Sequence, residues 1–108
     1  MRILDVVAAM GLIAAATTVR AAELGDPQQG LAYAKKNCAE CHAVQADKEK
    51  SPDPKAPSFE AVSNSPGMTS RALVVWLQTS HPTMPNLMIP PDERDNLVAY
   101  IMSLRAGP

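Results

Sequence analysis

Aromatic side chains are nearly absent. The 108 residues hold one Trp, two Tyr and one Phe, at Trp76, Tyr33, Tyr100 and Phe59. Aromatics supply much of the buried area of an ordinary core, so this chain has to fill its interior by other means. Cysteine is scarce as well, and two residues, Cys38 and Cys41, exclude a disulfide-dense scaffold. Charge of either sign shows no excess. Ten Lys and Arg stand against eleven Asp and Glu, a net −1, and no basic field invites nucleic acid. Glycine is sparse beside proline, five against ten, which makes the connections between elements stiff. What is present, 46% apolar and 19% charged residues, excludes wholesale disorder, and the length is that of a single domain.

Residues 6–19 form an uncharged run rich in Ala, Val, Leu and Ile. As a helix it spans roughly 21 Å, short of the roughly 30 Å of a bilayer core. That length fits the apolar region of a secretory signal, with Arg2 and the amino group before it, although Asp5 interrupts the positive segment. Val19 and Ala21 satisfy the small-residue rule for cleavage after Ala21. The expectation is a signal peptide over 1–21, export to the periplasm and a domain over 22–108; a buried N-terminal helix is the competing reading. Cleavage takes Arg2, Arg20 and Asp5 from the ten basic and eleven acidic residues, leaving eight and ten, a net −2. A domain that small is marginal on its own. A disulfide between Cys38 and Cys41 would close too small a loop to help much, so a covalently held cofactor is the better supplement.

Three helices are predicted. Asp26 caps the first, over 27–37, with Pro27 at its first position and Gln29 completing a capping-box arrangement. Thr69 caps the second, which reaches Gln78, with Leu73, Trp76 and Leu77 as its apolar stripe. The third covers 91–105, with Asp92 and Glu93 at its positive end, Arg105 at its negative end, and Leu97, Tyr100, Ile101 and Leu104 on one face. Residues 59–63 add one helical turn. Residues 44–57, with three Lys, two Asp, one Glu and three Pro, read as a solvated loop. Four prolines in 80–91 keep that connection out of a helix, and no alternating run is long enough for a strand.

The chemistry is concentrated in Cys38-Ala39-Glu40-Cys41-His42. Two cysteines three apart at a helix end can reach the two vinyl groups on one edge of a porphyrin. A histidine directly after the second is carried beneath the iron with Nε2 available as axial ligand, while Nδ1 needs an acceptor to fix the ring. Two other uses of Cys-x-x-Cys compete. A redox dithiol needs a βαβ surround, which the pattern lacks. A zinc site wants four ligands, and beyond this segment the sequence offers only His81 and no third cysteine.

With that pentapeptide in its setting, the sequence resembles the small class I cytochromes c over nearly all of 24–106. Gly30 stands eight residues before Cys38, where the family's glycine lets the first helix cross the last closely. Asp95–Leu104 is similar to the closing helix, and Met84-Pro85-Asn86 to the loop that delivers the sixth ligand. The resemblance implies an all-α class I fold, with the N- and C-terminal helices crossed around one covalently bound haem c and its iron. One departure is plain: an aromatic often stands four residues before the first cysteine, whereas here that position is Ala34, with Tyr33 beside it.

By the same resemblance His42 and Met84 are the axial ligands. Met1 and Met10 lie in the signal, Met68 and Met102 read as packing, and Met88 and His81 remain as rivals to Met84. A ligating His81 would give a bis-histidine iron; otherwise it is a partly exposed residue at a helix exit. Pro57, in Ala56-Pro57-Ser58-Phe59, matches the proline whose carbonyl takes the proton of the proximal histidine. Trp76 has an indole N–H for a haem propionate or a backbone carbonyl. Lys35, Lys36, Lys48, Lys50 and Lys55 gather around the motif, but Glu40, Asp47, Glu49 and Asp53 are interleaved with them.

The implied function is single-electron transfer, not enzymatic catalysis, between periplasmic redox proteins: a dehydrogenase, a quinol–cytochrome c reductase or a terminal oxidase. No membrane span remains after cleavage, and the protein is a monomer or a subunit of a larger complex. A fixed relay subunit is the first alternative. A haem gas sensor or peroxidase-like protein, which requires a labile Met84 bond, is the second.

Overall fold

Residues 25–46 and 50–106 are described by the computed structural model; the expected signal at 1–21 lies outside them. The described residues form four helices and no strand: α1 (Pro27–Asn37), α2 (Phe59–Ser63), α3 (Ser70–Gln78) and α4 (Pro91–Ser103). Helix α4 is the centre of the arrangement, packed against each of the other three. None of the helices among the described residues is long and apolar enough to cross a membrane.

The start of α1 follows from its capping residues, with one change from the expected capping box. The Asp26 carboxylate accepts from the backbone N–H of Gln28 at 2.8 Å, and Pro27 occupies the first turn, where an N–H would have no partner. The side chain of Gln29 turns to the Asp26 carboxylate at 3.4 Å instead of the backbone. The backbone N–H of Asp26 is taken by Asn96 Oδ1 of α4 at 2.8 Å, and Asn96 Nδ2 donates to Gln29 Oε1 at 3.3 Å. One α4 side chain therefore helps close the end of α1.

Two glycines make that approach possible. A Cβ on Gly30 would lie 2.0 Å from the carbonyl oxygen of Asn96 and 2.7 Å from Tyr100 Cβ. Gly25 sits at φ +129°, and a Cβ there would lie 2.2 Å from the Asp95 carbonyl oxygen. The helices meet backbone to backbone, which only residues without a Cβ allow.

At α4 the expected single face broadens. Leu97, Val98, Ala99, Tyr100 and Ile101 are all buried, because α1, α2 and α3 cover different sides of one helix. Leu97 and Ile101 are among the largest fully buried side chains, each contributing about 2 kcal/mol of transfer free energy. The helix ends at Ser103, two residues before the expected limit. Arg105 does not serve its last turn, since its guanidinium donates to the Met68 carbonyl at 3.1 Å. The α3 stripe splits in a comparable way: Leu73 is buried and Leu77 packs on the core, but Trp76 is 56% exposed.

Ala34 is fully buried at the departure noted in the sequence, and Tyr33 packs beside the core. Burial pushes the Tyr33 phenol above its ordinary value of 10.0, with Cys38 and Glu93 adding smaller effects in the same direction. The loop after the motif is not wholly solvated: Val44 is buried, and its carbonyl accepts the hydroxyl of Tyr100.

Candidate cofactor site

The Cys-x-x-Cys-His segment begins where α1 stops. Cys38 is the residue after the last helical position, its N–H still bonded to the Ala34 carbonyl at 2.8 Å. The chain then makes one further turn, in which the Cys38 carbonyl accepts from Cys41 N at 3.3 Å and His42 N at 2.9 Å. Both cysteines and the histidine are thus carried on a single hydrogen-bonded turn. Cys38 and Cys41 are free thiols, the first buried and the second half-buried. Burial pushes the Cys38 thiol from 9.0 up to about 11.

His42 is oriented by the loop that follows it. Its Nδ1 lies 2.6 Å from the carbonyl oxygen of Pro57. A carbonyl only accepts, so this hydrogen bond requires the proton on Nδ1, and the neutral ring then carries its lone pair on Nε2. The Phe59 ring packs against the imidazole at 5.2 Å between centroids, tilted by 46°.

Hydrogen bonds on either side of His42 hold Pro57 in place. Asp53 N donates to the Cys41 carbonyl at 3.1 Å, Ala43 N to Ser51 Oγ at 3.0 Å, and Phe59 N to the Ala43 carbonyl at 2.9 Å. Ser58 then caps α2, accepting from Ala61 N at 3.1 Å. Ser51, Asp53 and Phe59 were not foreseen as site residues. The Ser58 cap was the nearest signal, since it fixes where the loop must end.

Met84 comes from a different element, the proline-rich connection between α3 and α4, and is half-buried. It closes a turn in which its N–H donates to the His81 carbonyl at 3.3 Å, and the Pro85 carbonyl accepts from Leu87 N at 2.9 Å. His81 Nε2 lies 2.9 Å from the Trp76 carbonyl, and the two rings lie 4.1 Å apart between centroids, tilted by 46°. Trp76, His81 and Met84 line one shallow cavity. Of the other methionines, Met68 and Met102 pack against the core as expected, and Met88 is 90% exposed.

The donor set fits a ligand held by covalent bonds and one imidazole, not a bare ion. Among the described residues no group of three or more His, Cys, Asp or Glu side chains is gathered to hold a metal ion. The absence of strands among them also leaves the redox dithiol without its βαβ setting. Two free thiols on one turn, followed by an imidazole with Nε2 unprotonated, match the requirements of a haem joined through its vinyl groups.

Comparison with known proteins agrees with this. The cytochrome c family model matches residues 28–105. The chain is 34% identical over 94 residues to cytochrome c-552 of Bradyrhizobium diazoefficiens, an alignment that takes in 87% of this chain and 89% of that protein. No solved structure matches. A glycine-mediated crossing of α1 and α4, an attachment motif on the turn after α1 and a match through α4 lead to one conclusion: the chain belongs to the cytochrome c family, as a small class I monohaem protein carrying covalently bound haem c.

Proposed function

We propose that Cys38 and Cys41 hold the haem through thioether bonds and that His42 Nε2 and Met84 sulfur are its two axial ligands. The haem, when bound, supplies one-electron chemistry between the ferric and ferrous states of its iron. The observation that carries the reading is the hydrogen bond from His42 Nδ1 to the Pro57 carbonyl at 2.6 Å. It fixes the tautomer that leaves Nε2 to bind a metal, and it raises the basicity of the ring. Pro57 acts through its backbone carbonyl, and Phe59 keeps the imidazole from turning.

Two rigid turns present the Met84 thioether, a weak and soft donor that favours the ferrous state and so raises the potential. Trp76 is 56% exposed, so burial does not force a partner on its indole N–H, and its assignment to a haem propionate rests on the family resemblance. His42 and Met84 together would hold the iron without leaving it to a substrate, and in this reading the protein works as an electron carrier rather than an enzyme. In this reading it is exported by the segment 1–21 and passes electrons between periplasmic redox proteins.

The test is the holoprotein made in a host that attaches haem c. Cys38→Ala with Cys41→Ala should leave no haem after acid–acetone extraction, and Met84→Ala should admit carbon monoxide to the ferrous iron. Haem retained by the double variant would overturn the attachment, and an unmutated protein that binds carbon monoxide tightly would overturn the electron-carrier reading.

A further inference from the structure

Helix α3 ends with carbonyls that have no partner within the helix. Two of them are bonded near Thr79: the Val75 carbonyl accepts from Thr79 Oγ1 at 2.6 Å, and the Trp76 carbonyl accepts from Thr79 N at 3.2 Å. The Trp76 carbonyl takes a second hydrogen bond, from a side chain five residues on, His81 Nε2 at 2.9 Å. Since a carbonyl only accepts, Nε2 is the protonated nitrogen of His81. The ring also lies against the indole of Trp76, 4.1 Å between centroids.

This bond has a particular place among those of the connection. The other hydrogen bonds of residues 80–90 are internal, Met84 N to the His81 carbonyl and Leu87 N to the Pro85 carbonyl, or begin α4, Arg94 N to the Pro90 carbonyl. Among the described residues, the contact from His81 to the Trp76 carbonyl is the hydrogen bond that ties the segment to α3. Its other end is mechanically linked to Met84. His81 and Met84 are the first and last residues of one turn, with Pro82 in the second position, where its fixed φ suits a turn. Pro85 stiffens the following residue. A displacement of His81 is therefore passed to Met84 across a turn with little freedom to absorb it.

We propose that His81 is a positioning residue for Met84: its Nε2–H, bonded to the Trp76 carbonyl at the end of α3, fixes the turn that presents the thioether. His81 thereby acquires a function without being a ligand. The inference rests on the assignment of Met84 as axial ligand, and it concerns the donor rather than the ring alone.

The experiment uses the holoprotein with His81→Phe, which keeps a ring beside Trp76 but has no donor, and His81→Gln, which keeps an N–H donor but no ring. Met84→Ala serves as reference. Azide affinity of the ferric protein is the readout, because azide must displace the thioether, together with the thioether-to-iron charge-transfer absorption and the denaturation midpoint. Losing one hydrogen bond of ordinary net strength corresponds to roughly a five- to tenfold change in an equilibrium constant. His81→Phe should bind azide about tenfold more tightly than the unmutated protein and show a weakened charge-transfer band. His81→Gln should restore both to near the unmutated values.

Azide affinity in His81→Phe equal to that of the unmutated protein overturns the proposal. So does a His81→Gln variant as perturbed as His81→Phe, because the ring and not the donor would then matter. A fall in the denaturation midpoint with an unchanged charge-transfer band and azide affinity overturns it too, as a purely structural role. If Met84→Ala keeps the charge-transfer band, the ligand assignment itself is wrong, and that result is separable from any behaviour of His81.

Discussion

Replacing Met84 with alanine removes one sulfur and tests the ligand assignment directly. The expected outcome is a lower reduction potential and azide or carbon monoxide binding seen as a Soret shift. Met88→Ala should change neither, because that side chain is 90% exposed. A Met88→Ala protein that opens while Met84→Ala stays closed would reverse the assignment. Tyr33 gives a second test at this scale. Its phenol is raised by burial above 10.0, so the folded protein holds the proton more tightly than the unfolded chain does. The stabilisation is complete below pH 10 and is lost as pH rises through the folded value. Denaturation midpoints of the holoprotein should fall less steeply above pH 10 in Tyr33→Phe than in the unmutated protein; parallel slopes would contradict the account.

At the scale of elements the crossing of α1 and α4 carries the fold. Helix propensity alone would favour Gly30→Ala by about 1 kcal/mol. Against that, a Cβ 2.0 Å from the Asn96 carbonyl oxygen meets backbone, which cannot move aside as a side chain would. Overpacking of this kind costs about 3 kcal/mol, so the net loss should be about 2 kcal/mol in denaturant unfolding of the holoprotein. Asn96→Ala removes the acceptor for Asp26 N and should cost about 1 kcal/mol. A Gly30→Ala protein as stable as the parent would mean that the helices do not meet backbone to backbone.

The positions of the three long helices are legible in the sequence because their signals are local: Asp26-Pro27, Thr69, and Pro91 with its acidic followers. The proposed attachment residues rest on a local signal too, since Cys38, Cys41 and His42 fall within five consecutive residues. What the sequence could not reveal depends on partners distant in the chain. Asn96 looks like an ordinary polar residue on a helix until α1 lies against it. Val44 looks like the start of a solvated loop until Tyr100 reaches its carbonyl. Trp76 looked like one member of a buried stripe, but α3 buries only the side carrying Leu73 and Leu77. His81 reads as a loose residue at a helix exit until its ring nitrogen is seen on the Trp76 carbonyl.

At the scale of the whole molecule, the size of the buried side chains among the described residues is the governing fact. Leu97 and Ile101, with Ser63, are the largest fully buried side chains among the described residues, and a domain of this size is marginal without reinforcement. The covalently attached haem is the reinforcement proposed here. The Cys38→Ala, Cys41→Ala protein should therefore show no cooperative melt by circular dichroism, and a native-like melt would contradict the claim. If 1–21 is a cleaved signal, the intact mass from the native host should equal residues 22–108 plus one haem; a mass retaining Met1–Ala21 would support an anchored relay.

The most direct measurement of the central claim is the proton NMR spectrum of the ferrous holoprotein. A methionine methyl bound to haem iron lies in the ring current of the porphyrin and is displaced upfield of every other protein methyl. One three-proton resonance of that kind is predicted, absent from Met84→Ala and retained in Met88→Ala. A spectrum without it, or one in which it survives Met84→Ala, would contradict a haem held between His42 and Met84.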